Sequence, residues 1–236
     1  SGNATSQGDV ILTGQSITMH SGSLNGAAVE ATSPGAVVLA GEINTAGDLK
    51  VTSTSGTVAL DVAAAIDGEI LVNAEHDITL AGELRGSDVF LDAASVQLSD
   101  GSIQSTVGDI AVLSDDLSAS GTVHLESAAD LTLAAEQGTG RMRVDGANLR
   151  MVAAGDLSLL ATIDGAGGVL NASAVDTLSL GGNVGGVEAV ESLNLTGGTL
   201  RLGTSSDGVV WNLSEINARG DIGLNTSNPT LSSELP

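Results

Sequence analysis

Short runs of alternating apolar and polar residues recur along the chain, separated by Gly, Asp, Asn and Ser. In residues 58–62, 123–125 and 193–195, for example, every second residue is apolar. Alternation with period two is typical of strands that bury one face, and the separating residues favour turns. No stretch of a dozen residues carries the apolar stripe of a helix. The sequence therefore predicts an all-β protein built from short strands.

The runs belong to an internal repeat, in which a residue that is usually small and an Asp precede an apolar triplet, as in Gly108-Asp109-Ile110. Successive copies are about twenty residues apart. The first apolar positions form the series Leu49, Ile70, Val89, Ile110, Leu131, Leu157, Leu178, Leu200 and Ile222. A second series, Val58, Ile78 and Val96, lies between them. This period predicts a parallel β-helix, because propeller blades need about forty residues and aromatic motifs.

Composition favours the same architecture. Only Phe90 and Trp211 are aromatic among 236 residues, and there is no Tyr or Cys. A narrow lumen that stacks Leu on Leu and Val on Val excludes most rings. We expect residues 1–236 to form a single rod of about eleven coils. Neither terminus shows an amphipathic capping helix, which favours a segment of a longer rod.

The net charge of −22 limits the partners. Seven Lys and Arg residues cannot supply the cations that nucleic acids require, so nucleic acid is excluded as a partner. Anionic membrane surfaces are disfavoured for the same reason, and no apolar run is long enough to insert into a bilayer.

Gly-Asp-Leu-x-Leu phrases at this spacing, with almost no Lys, Cys or aromatic residues, resemble the filamentous-haemagglutinin exoproteins exported by two-partner secretion. The segments that carry the resemblance are 46–51, 108–113, 128–133 and 153–159. The family implies a right-handed β-helix, an extracellular or bacterial cell-surface location, and a role in adhesion or biofilm cohesion. Its secretion-domain motifs Asn-Pro-Asn-Gly and Asn-Ser-His-Leu are absent. The parent protein would then engage its outer-membrane transporter through a region that is not in this chain.

Two segments are candidate ligand-binding motifs. Arg219-Gly220-Asp221 is the tripeptide that integrin ligands display, but Gly-Asp before an apolar triplet is also the repeat phrase of this chain. Trp211, the only tryptophan, would stack on a sugar ring if exposed or close the end of the rod if buried.

Three of the seven cations lie within ten residues: Arg141, Arg143 and Arg150. Arg141 and Arg143 share a strand face if Met142 and Val144 share the other, and they would contact an anionic polysaccharide or form a solvated pair near Asp145. His124 and Glu126 face solvent if Val123 and Leu125 point inward. They are a weak basis for catalysis, and we expect no enzyme activity and no cofactor.

The recurrent Asp residues predict an acidic column. Asp88, Asp109 and Asp130 would lie roughly 5 Å apart at one corner of successive coils. Such a column either binds calcium, which takes clustered oxygen ligands, or accepts a backbone N–H at each Asp's own turn.

The pattern and the resemblance together predict a non-enzymatic segment of a secreted bacterial adhesin. Its partners would be extracellular polysaccharide or a host or bacterial cell surface, bound through repeated weak contacts. Two alternatives remain: a polysaccharide-degrading enzyme on a β-helix, and a passive stalk that displays a toxin or tip domain. Clustered carboxylates lining a groove would favour the enzyme, and a featureless acidic surface would favour the stalk.

Overall fold

A computed structural model describes residues 3–134, 140–185, 190–202, 210–224 and 230–232, and the side chains of 3–134, 141–185 and 190–201. These residues form 23 strands and no helix. The first twelve strands are β1 (Ala4–Thr5), β2 (Val10–Thr13), β3 (Ile17–Met19), β4 (Ser23–Gly26), β5 (Val29–Ser33), β6 (Val37–Thr45), β7 (Leu49–Ser53), β8 (Val58–Ile66), β9 (Ile70–Ala74), β10 (Asp77–Gly86), β11 (Val89–Asp92) and β12 (Ser95–Ser105). The others are β13 (Ile110–Leu113), β14 (Asp116–Ser127), β15 (Leu131–Ala134), β16 (Gly140–Arg143), β17 (Asn148–Ala153), β18 (Leu157–Asp164), β19 (Val169–Ala174), β20 (Thr177–Leu180), β21 (Val190–Leu202), β22 (Val210–Leu224) and β23 (Thr230–Ser232).

The strands stack coil on coil as a parallel β-helix, which confirms the predicted fold class. The repeat series forms one continuous ladder, in which Val89 pairs with Ile110 and Ile110 with Leu131. The second series also pairs as predicted, with Ile78 between Val58 and Val96. A third ladder runs through Ile103, Leu125 and Met151 on the remaining face. Right-handedness stays a prediction from the family resemblance.

The solenoid has about 9 turns, slightly fewer than the eleven predicted. The prediction assumed a uniform period of twenty, whereas some coils are longer. The coil that leads from Asp130 to Asp156, for example, takes 26 residues.

The core is a column of stacked aliphatic side chains. The inward side chains are fully buried, as in Ile70, Ile110, Leu131 and Leu157, each of which is 0% exposed. The residues that alternate with the inward ones along each strand point outward. Throughout the residues whose side chains are described, this alternation removes apolar surface from water, which is the main stabilising contribution to the fold. Because each layer is only as thick as one coil, Leu, Ile and Val fill it without aromatic rings.

Buried hydroxyl groups satisfy the backbone where the chain turns. Ser105 and Ser127 are buried, and their Oγ atoms lie 3.1 Å apart. Ser105 Oγ also donates to the carbonyl oxygen of Gly108 at 2.7 Å, and Ser127 Oγ donates to that of Asp130 at 2.8 Å. The same two carbonyl oxygens also accept backbone N–H groups, that of Gly108 from Ala129 and that of Asp130 from Ile110. The corner thus gives each buried hydroxyl an acceptor, so its burial in the apolar lumen leaves no donor unpaired.

Candidate binding surface

The repeated Asp residues form a column of inter-coil hydrogen bonds. Asp88 Oδ1 accepts the backbone N–H of Asp109 at 2.9 Å, and Asp109 Oδ1 accepts that of Asp130 at 3.0 Å. Asp130 Oδ1 accepts the backbone N–H of Asp156 at 2.8 Å. Asp156 Oδ1 in turn accepts the backbone N–H of Thr177. We call Asp88, Asp109, Asp130 and Asp156 the Asp column.

The Asp column confirms that these residues share one corner, but the expectation that each carboxylate accepts an N–H at its own turn was wrong. The acceptor reaches the following coil instead, because the next turn amide is one interstrand spacing away and points toward the carboxylate. Among the described residues, no group of three or more His, Asp or Glu is arranged to hold a metal ion. Calcium binding stays a prediction, and a melting curve recorded with and without calcium tests it.

Removing one member of the Asp column is expected to lower the free energy of unfolding modestly. Asp109→Ala leaves the N–H of Asp130 without its acceptor, so we expect a loss of about 1 kcal/mol. Asp109→Asn retains an acceptor oxygen and is expected to lose less. Urea denaturation of the two variants measures the difference, and equal losses would show that charge, rather than the hydrogen bond, matters at this turn.

Arg141 and Arg143 lie on the outer face of β16, as predicted, because Met142 and Val144 are both fully buried. Both arginines are exposed, and Arg143 Nη2 lies 2.6 Å from Asp145 Oδ2, so the predicted pair of arginines does lie near Asp145. Arg141 Nε lies 3.9 Å from Oδ2 of the buried Asp164. Both cations therefore lie beside carboxylates of the same molecule, which reduces the positive charge they present to an anionic polymer.

His124 and Glu126 lie outward on β14, since Val123 and Leu125 are buried. Glu126 Oε2 is 3.7 Å from His124 Nε2. The same Nε2 lies 3.0 Å from Arg150 Nη1, on the paired strand β17. A guanidinium can only donate, so this bond forms when Nε2 carries no proton and accepts it. Burial and the charge of Arg150 lower the pKa of His124, against a smaller opposing effect of Glu126.

Acid is expected to weaken the rod at this point. Because the folded-state pKa of His124 lies below its usual 6.5, the unfolded chain binds a proton first as the pH falls. The stability contribution is therefore complete above pH 6.5 and declines between 6.5 and the lowered folded value. In urea denaturation at a series of pH values, His124→Gln should remove that part of the pH dependence. An unchanged profile in the variant would contradict the assignment.

Arg219, Gly220 and Asp221 lie within β22, whose Arg219 pairs with Thr196 and whose Asp221 pairs with Thr199. The register shifts between these two pairs, so the tripeptide crosses an irregular point of a ladder. Trp211 also lies in β22, and its backbone pairs with that of Leu231. The side chains of these four residues lie outside the described part of the structure, so neither reading of Trp211 is tested.

A groove that sequence reasoning missed lies at the corner where β7, β9, β11 and β13 end. Its volume is about 490 Å³, and we call it the corner groove. The polar residues that line it are Thr52, Ser53, Thr54, Asn73, Glu75, Asp92 and Asp115, and the apolar ones are Ala74, Ala93 and Ala94. Burial raises the pKa of Asp92 above its usual 3.8. These residues come from successive coils, and none of them belongs to a recognisable motif.

Comparison of the chain with protein-family models, curated proteins and solved structures gives no match. Within the described segments, no helix has the length and apolar character needed to cross a membrane.

Proposed function

We propose that this chain is a rod segment of a secreted, cell-surface bacterial adhesin, without enzymatic activity. The observation that supports the proposal is the uninterrupted stacking of coil on coil, shown by the Ile110 ladder from Leu49 to Leu200. Each coil repeats the same outward positions at about 4.8 Å intervals. Such a surface suits many weak contacts with a polymer or a cell surface rather than one deep site.

In the proposed mechanism, tight binding comes from many simultaneous contacts. Contacts that are weak individually gain about 10²- to 10⁴-fold in avidity when they act together. A rod whose backbone hydrogen bonds join every coil to the next holds those contacts at fixed distances. The contact groups are thus already in place before binding, so binding loses little conformational entropy compared with a flexible chain.

The experiment compares beads that carry many copies of the chain with the free, labelled chain. Both are applied to a panel of bacterial exopolysaccharides, bacterial cells and integrin-bearing cells. We expect the beads to be retained by at least one surface on which the free chain binds weakly. Beads coated with an unstructured polypeptide of equal negative charge provide the control.

Failure of the beads to bind any surface beyond the control would overturn the proposal and favour the passive stalk. Release of new reducing ends from a polysaccharide during the assay would instead favour the enzyme, the alternative that the three carboxylates lining the corner groove support. The Arg219-Gly220-Asp221 tripeptide is tested on integrin-bearing cells by Asp221→Glu, which retains the charge but lengthens the side chain.

A further inference from the structure

Phe90 lies on the outside of the rod between two apolar residues of its column, and the next residue of that column, beyond Leu71, is Lys50. Phe90 is partly exposed, because its neighbours Val89 and Leu91 along β11 take the inward positions. Its ladder partners on the adjacent coils are Leu71 and Ala111, which are also partly exposed. An aromatic ring flanked by aliphatic side chains on a flat sheet is a platform for the apolar face of a ring-shaped ligand.

Hydrogen-bonding groups lie beside this platform. Thr52, Asn73 and Asp92 pair in one column, which runs two residues, or about 7 Å, further along the strands than the column of Phe90. This column forms one wall of the corner groove, and Glu75 and Asp115 extend the lining. Thr52 Oγ1 is buried in that wall and has no hydrogen-bond partner. Such an atom is rare in a folded protein and marks a point in this wall where a hydrogen-bonding partner is missing.

The charge of the lining restricts the ligand. The corner groove has three carboxylates and no basic side chain among its described residues. The whole chain carries −22, which attracts polycations over long range and repels polyanions. Carboxylates form their strongest hydrogen bonds with cationic donors such as ammonium groups. A ligand that suits both platform and groove therefore combines a ring with an apolar face, hydroxyl groups and positive charge.

We infer that Phe90 and the corner groove together bind a cationic amino-sugar polysaccharide that runs along the rod axis. The sugar rings pack on Phe90 and its aliphatic neighbours, while their hydroxyl and ammonium groups donate to Asn73, Asp92 and Glu75. The coil spacing of about 4.8 Å is close to the length of one pyranose unit, so successive sugars meet successive coils. This inference rests on the proposed adhesin function and names the class of its ligand.

The test uses a glucosamine hexasaccharide as the probe and titrates it into the full chain at physiological ionic strength. The double variant Glu75→Gln/Asp92→Asn removes two carboxylates from the groove. The matched control Glu42→Gln/Asp61→Asn removes two exposed carboxylates elsewhere. We expect the groove variant to raise Kd at least about tenfold, as the loss of two charge-assisted hydrogen bonds predicts, and the control to change it less than about twofold.

Phe90→Ala tests the platform. It is expected to weaken binding by a similar factor, provided that circular dichroism and the melting curve show a folded rod. Phe90→Leu is the fallback if the alanine variant does not fold, and it should also bind more weakly because it lacks the ring.

The N-acetylglucosamine hexasaccharide and spermine separate the sources of affinity. The inference requires the glucosamine probe to bind more tightly than either of them. Equal losses in the two double variants, or equal binding of spermine, would overturn it in favour of general charge attraction. Absence of hexasaccharide binding would also overturn it. If the hexasaccharide does not bind but beads bearing the chain still adhere to another surface, the adhesin proposal survives with a different ligand. If neither the hexasaccharide binds nor the beads adhere, both proposals are rejected.

Discussion

Replacing Gly82 by alanine is expected to destabilise the rod by about 3 kcal/mol or more, among the largest effects of any single methyl group. Gly82 has φ +94, a conformation that residues with a Cβ rarely adopt. A Cβ there would also collide with the carbonyl oxygen of Val62 in the preceding coil and lie only 3.2 Å from its backbone N and C atoms. Those atoms are held by the ladder between β8 and β10 and cannot move away without breaking it.

Gly146→Ala provides the control, because Gly146 also has positive φ, +61, but nothing lies within 4 Å of its Cβ position. Backbone strain alone should cost this variant about 1 kcal/mol. Urea denaturation of both variants separates strain from steric collision. Comparable losses would mean that the close approach of the two coils at Gly82 does not limit the fold.

Replacing Ile110 by alanine is expected to cost about 3–4 kcal/mol. The side chain is fully buried and lies between Val89 and Leu131 of the adjacent coils. Those coils are held by backbone hydrogen bonds on both sides, so the cavity cannot collapse and the lost contacts are not replaced. Ile110→Val, which removes a single methylene, should cost only about 1 kcal/mol.

The damage from Ile110→Ala should also be local. In a solenoid each coil contacts only its neighbours, so stability is a sum of nearest-neighbour contributions. Hydrogen exchange should therefore accelerate at amides of β11, β13 and β15 more than at those of β4 and β6. Uniform acceleration along the rod would show that it unfolds as one cooperative unit.

The ladders were predictable from the sequence because two signals coincide. Alternation identifies the inward residues, and the repeat of about twenty residues indicates which of them share a column. The sequence therefore predicts that Ile70, Val89 and Ile110 share one column, and they do pair. The outward positions of His124 and Arg141 followed from the same alternation.

The surface chemistry was less predictable, because it depends on contacts between coils. The corner groove joins Asn73, Asp92 and Asp115, which are about twenty residues apart and share no motif. His124 and Arg150 meet because the intervening coil has 26 residues, a length that a uniform period does not give. Which backbone N–H each carboxylate of the Asp column accepts also depends on where the amide of the next coil points. The alternation of apolar and polar residues does not determine that orientation.

The stacked arrangement has a mechanical consequence. Every inter-coil hydrogen bond points along the rod axis, so tension applied between the two ends loads a few bonds at the terminal coil rather than all of them in parallel. Coils would detach one at a time, and a coil such as that from Asp109 to Asp130 would release 21 residues, or about 70 Å of extended chain. A rod that resists bending would thus lengthen stepwise under a pull, dissipating work before an attachment at its far end breaks.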